Sequence, residues 1–107
     1  MERDLDFWRE KIDILDDQIL ELLNERARYA LSVGKIKCAE GLPFHVPDRE
    51  TLILNRIREL NGGPLSHEAA QRIFRQIIDE SLRLEEDHAE KDDLPPNLLP
   101  DRKRETI

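Results

Sequence analysis

The chain has 107 residues, of which 38% are charged, 38% apolar and 5% aromatic, the composition of one soluble domain thin in large core side chains. A formal net charge of −7 and a pI near 5.0 argue against nucleic acid, which needs a basic face, and against an anionic membrane surface; a small anion in a local cationic pocket is still allowed. A single cysteine, Cys38, leaves no intrachain disulfide and reads as a small packing residue. The start Met1-Glu2-Arg3-Asp4 lacks the apolar run of a signal peptide, and no stretch nears the roughly 20 apolar residues of a membrane span, so the expected location is cytoplasmic.

The first element is a very long helix. From about Asp4 to Cys38 only Gly34 interrupts a run free of Gly and Pro. Ile12, Leu15, Ile19, Leu22, Leu23, Ala30 and Val33 recur at helical spacing. Asp4 or Asp6 can cap its start, and Gly41 followed by Pro43 marks its stop. Residues 41–47 form a loop. A second helix starts near Pro47, with Asp48 and Glu50 placed well against the N-terminal dipole, and ends at Asn61-Gly62-Gly63-Pro64. A third starts near Ser66, a good cap, and runs to about Ala89. Residues 1–91 read as one helical domain. Residues 92–107, with Leu94-Pro95-Pro96, Pro100 and Arg102-Lys103-Arg104, read as a C-terminal tail or linker. No strand signal and no internal repeat are present.

The fold class expected is all-α: three helices, one very long and two shorter, in an intertwined helical homodimer. About 35 residues at ~1.5 Å each make a rod of roughly 50 Å. A compact domain of this length is only about 35 Å across. The overhanging apolar stripe therefore needs a partner, and a second copy is the economical one.

Several polar groups stand where apolar residues belong. Arg26 falls between Leu22/Leu23 and Ala30 on the first helix, and Lys37 follows Val33 at the next such position. Eleven residues apart, they share a face to within about 20° and lie about 16 Å apart. Two cations facing an interior are costly unless an anion meets them. On the third helix Phe74, Ile78, Ser81 and Glu85 share a stripe. On the second, Glu50 lies in line with Ile53, Leu54 and Ile57, with Arg49 beside it. Each of these groups taken alone is also explained by a structural salt bridge, such as Arg26 with Glu50. Together, two cations, a hydroxyl and two carboxyls on inward stripes of three helices suggest a polar pocket. Arg9 lies about 25 Å from Arg26 and roughly 100° off its face. Within one subunit it is either a solvated arginine or one that reaches a partner's pocket across antiparallel long helices. His45, His67 and His88 are far apart in sequence, and no metal cluster is offered.

These residues resemble a known family. Trp8-Arg9-Glu10-Lys11-Ile12-Asp13, Leu22-Leu23-Asn24-Glu25-Arg26 and Val33-Gly34-Lys35-Ile36-Lys37 look like the first helix of AroQ-class chorismate mutases. Pro47-Asp48-Arg49-Glu50 resembles the start of their second helix, and residues 77–85, with Ser81 and Glu85, the end of their third. The likeness runs from about residue 5 to residue 88.

The resemblance implies a cofactor-free, metal-free isomerase that rearranges chorismate to prephenate in aromatic amino acid biosynthesis, as a homodimer with two active sites. It implies that Arg26 clamps one substrate carboxylate and Arg9 of the other subunit the second. Lys37 would donate to the ether oxygen and a carboxylate. Glu50 would accept from the ring hydroxyl, with Arg49 supporting the site. Ser81 would help hold a carboxylate, and Glu85 would face the ether oxygen opposite Lys37. Two positions depart from the family pattern. Many members carry Asp where this chain has Val46, which leaves only its backbone for the ring hydroxyl. Some carry Gln where this chain has Glu85, so Glu85 is expected to act in its protonated form. Two alternatives are an isochorismate pyruvate lyase on the same scaffold and a non-catalytic helical dimerisation or regulatory module.

Overall fold

The computed structural model describes residues 4–92, which form three helices: α1 (Leu5–Glu40), α2 (Pro47–Leu60) and α3 (His67–Asp92). Of the tail expected over residues 92–107, Asp92 is instead the last residue of α3, and residues 93–107 lie outside the described residues. Each boundary has a local cause. Asp4 caps α1 by accepting from the Phe7 N–H at 3.0 Å. Gly41 ends α1 in the left-handed region at φ 71°, where its N–H donates to the Cys38 carbonyl and the Leu42 N–H donates to the Lys37 carbonyl. That closure ends the helix at Glu40, at the stop marked by Gly41 and Pro43.

Pro47 opens α2 at a position where its missing N–H costs nothing. Val46 before it offers no side-chain cap; its carbonyl accepts from the N–H groups of Arg49 and Glu50. Asn61 organises the turn that follows. Its Nδ2 donates to the Leu65 carbonyl, and its Oδ1 accepts from the N–H of Gly63, whose φ is 81°. Ser66 then caps α3 by accepting from the Ala69 N–H at 3.0 Å.

α3 packs against both other helices. It runs antiparallel to α2, since Gln71 reaches the Leu54 carbonyl and Arg75 reaches Glu50. It runs in the same sense as the C-terminal half of α1, since Arg26 meets Ser81 and Lys37 meets Glu85. The core is small: among the described residues only Ile53, Ala70 and Ile78 are buried hydrophobic side chains.

The N-terminal half of α1 stands clear of this core. Its 36 residues make a rod of about 54 Å, and the molecule measures 62 × 28 × 18 Å. Leu5, Trp8, Ile12, Leu15, Ile19 and Leu22, spaced alternately three and four apart, are between 52% and 63% exposed. That is the spacing of a helix–helix seam.

Candidate active site

All three helices line one cavity of about 270 Å³. α1 contributes Arg26 and Lys37, α2 contributes Arg49, Glu50 and Ile53, and α3 contributes Ile78, Ser81 and Glu85. Phe44 and Val46 close it from the loop before α2. Of the predicted site residues, Arg26, Lys37, Val46, Arg49, Glu50, Ser81 and Glu85 are thus brought together within one chain. Arg9 is not. It sits 17 positions from Arg26 along α1, exposed, beside a shallow acidic concavity formed with Asp4, Asp6, Phe7, Glu10 and Asp13.

The polar groups are held in fixed poses. Arg26 Nη1 donates to Ser81 Oγ at 2.7 Å. Burial, then the nearby charges of Arg49 and Arg56, pull the Arg26 guanidinium below its usual value; an arginine still keeps its charge at neutral pH. Three cations, Arg26, Lys37 and Arg49, thus line the cavity with two carboxylates, Glu50 and Glu85. Lys37 Nζ donates to the Phe44 carbonyl at 2.7 Å and to Glu85 Oε1 at 3.2 Å. Two of its three donors are used, and the third is available to a guest. Glu85 is the one buried charged side chain among the described residues, at 8% exposure.

Glu50 does not pair with Arg26, the partner the salt-bridge alternative named. Its Oε1 accepts from Arg75 at 2.8 Å, and its Oε2 lies 3.4 Å from His45 Nε2. The Arg75 hydrogen bond, with smaller help from His45, holds its carboxyl below the usual carboxylate range against the opposing effect of burial. Val46 presents an apolar side chain to the cavity, and its carbonyl is already engaged by the start of α2.

Besides His45, which lies against Glu50, sequence reasoning missed three participants. Phe44 both lines the cavity and anchors Lys37 through its carbonyl. Arg75 holds Glu50 from outside the lining. Gly34 is buried where α1 meets α3: a Cβ there would lie 3.0 Å from Glu85 Cγ and 3.2 Å from Glu85 Cβ. Gly34, a lone glycine inside a long helix, was the one legible signal of a close approach.

Residues 8–86 match the family described as chorismate mutase type II. The chain belongs to that family. A bifunctional chorismate mutase/prephenate dehydratase of Aquifex aeolicus is 47% identical over 81 residues, 72% of this chain and 22% of that protein. A chorismate mutase of Methanocaldococcus jannaschii is 34% identical over 84 residues, covering 78% of this chain and 85% of the relative. The solved structure of chorismate mutase (form II) from Thermus thermophilus superposes with a TM-score of 0.76 at 34% identity, over 77% of this chain and 93% of that one. The chain thus spans about a fifth of the bifunctional relative and most of the length of the shorter one. Among the described residues no helix is long and apolar enough to cross a membrane.

Proposed function

We propose that the chain rearranges chorismate to prephenate in the cavity between its helices, with Arg9 of a second copy completing each site. The reaction breaks one C–O bond and forms one C–C bond within a single molecule. It needs no nucleophile and no net proton transfer. Catalysis then rests on holding a flexible dianion in its compact reactive shape and on donors aimed at the ether oxygen as it gains negative charge.

The residues suit those two tasks. Arg26, braced by Ser81, offers the rest of its planar fork to one carboxylate. Lys37, braced by the Phe44 carbonyl and Glu85, aims its remaining donor at the ether oxygen. Glu50, kept ionised, accepts from the ring hydroxyl, and Arg49 adds positive charge at the rim. Glu85 stands on the ether-oxygen side and orients Lys37 by accepting from its Nζ at 3.2 Å. The second carboxylate lacks a clamp within one chain. Arg9 supplies it when two copies of α1 pair antiparallel along the exposed seam, which supports a homodimer in which each site draws on both chains.

The observation that carries this reading is the pairing of Arg26 with Ser81 and of Lys37 with Glu85 across one cavity. The test follows chorismate loss by absorbance, with the product identified. Wild type is expected to yield prephenate, and Lys37→Ala to lower kcat/KM by about 10²–10³-fold, the usual cost of one transition-state donor. Turnover of isochorismate alone would assign the cavity to a lyase. Binding of chorismate without turnover would leave a non-catalytic module.

A further inference from the structure

Glu50 has an unusual setting for a group that faces a ligand. It is 13% exposed, yet its carboxylate oxygens already have partners: Arg75 at 2.8 Å on one and His45 at 3.4 Å on the other. Neither partner lines the cavity. Arg75 is itself steadied one helical turn along by Asp79, 3.4 Å away. Each carboxylate oxygen can accept more than one hydrogen bond, so Glu50 is held from behind with acceptor capacity left toward the cavity.

A dianionic substrate brings acceptors almost everywhere; its ring hydroxyl is its one donor. Arg26, Arg49 and Lys37 cannot accept. Among the other acceptors that line the cavity, the Phe44 carbonyl and Glu85 Oε1 accept from Lys37, Ser81 Oγ accepts from Arg26, and the Tyr29 hydroxyl is engaged with Glu25, while the Val46 side chain is apolar. Reading of the hydroxyl therefore falls to Glu50, and its accuracy depends on how firmly that carboxylate is aimed.

We propose that Arg75 is a positioning residue for the ring hydroxyl, fixing the Glu50 carboxylate from outside the cavity so that a single acceptor discriminates hydroxylated from deoxygenated substrate. The inference rests on the mutase reading above. Arg75 touches no substrate atom and leaves the ether oxygen and the carboxylate clamps to other residues. Its loss should therefore affect one part of the substrate only.

The test compares chorismate with its analogue lacking the ring hydroxyl, in wild type, Arg75→Gln, Arg75→Lys, Glu50→Ala and the double variant Arg75→Gln/Glu50→Ala. Arg75→Gln should lower kcat/KM for chorismate about tenfold, the order expected for a misplaced contact group. The rate with the analogue should stay near that of wild type, which also shows that the variant is folded. Arg75→Lys keeps the charge without the planar fork and should recover part of the discrimination. Once Glu50 is Ala, adding Arg75→Gln should change nothing further. Equal losses on both substrates, in Arg75→Gln or in the milder Arg75→Lys, or no loss on either, would overturn the proposal. Wild type inactive on both substrates would instead remove the mutase reading itself.

Discussion

Glu50 keeps its charge further into acid than an ordinary glutamate because Arg75 donates to it, and that preference is linked to folding. A carboxyl whose folded value is depressed stabilises the fold fully above its unfolded value of about 4.3, and the contribution is lost as pH falls through the folded value. Arg75 is partly exposed, so solvent screening limits the pair to about 1 kcal/mol or less. Unfolding free energies of wild type and Glu50→Gln from urea titrations should differ by that amount near neutrality and converge in acid, once pH falls below the depressed folded value of Glu50. A gap that persists into acid would show that the ion pair is not its source. Arg26, Lys37, Ser81 and Glu85 were legible in the sequence because a polar residue on an apolar helical stripe announces itself. Arg75 was not: its partner is 25 residues away on another helix, and helical periodicity assigns a face without choosing the neighbour across it.

At the scale of elements, all three helices were legible to within a few residues. Their punctuation is chemical: the Asp4 and Ser66 caps, the left-handed Gly41, and Pro47 at the first turn of α2. Less legible was the register of α1 on α3, which depends on an absent side chain. Gly34 lets α3 approach until Glu85 fills the space a Cβ would need. Gly34→Ala gains about 1 kcal/mol of helix propensity and meets an overpacking cost of about 1–3 kcal/mol. Stability should therefore change little or fall modestly, while displacement of Glu85 and of the Lys37 it holds lowers kcat/KM about tenfold or more. Steady-state kinetics beside a thermal melt separate the two effects. Unchanged turnover would mean that the close contact does not set the geometry of the site.

The whole molecule is a small core with a rod projecting from it. Length alone foretold the overhang, since no compact domain of 107 residues accommodates a helix of 36. The exposed seam from Leu5 to Leu22 and the distance of Arg9 from the cavity are the two observations behind the proposed pairing of two copies. In the proposed dimer a second copy covers the seam and brings its Arg9 to the cavity. Helix periodicity revealed the seam, but not the geometry of the pairing, which depends on how two copies cross.

Subunit exchange tests this most directly. Arg9→Ala and Arg26→Ala proteins, each inactive alone on chorismate, are mixed in equal amounts and allowed to exchange. Half of the resulting dimers carry one chain of each kind, and each of those holds one site with both arginines intact, so about a quarter of wild-type activity should return. No recovery, despite exchange shown by mass-tagged chains, would contradict a site built from two copies.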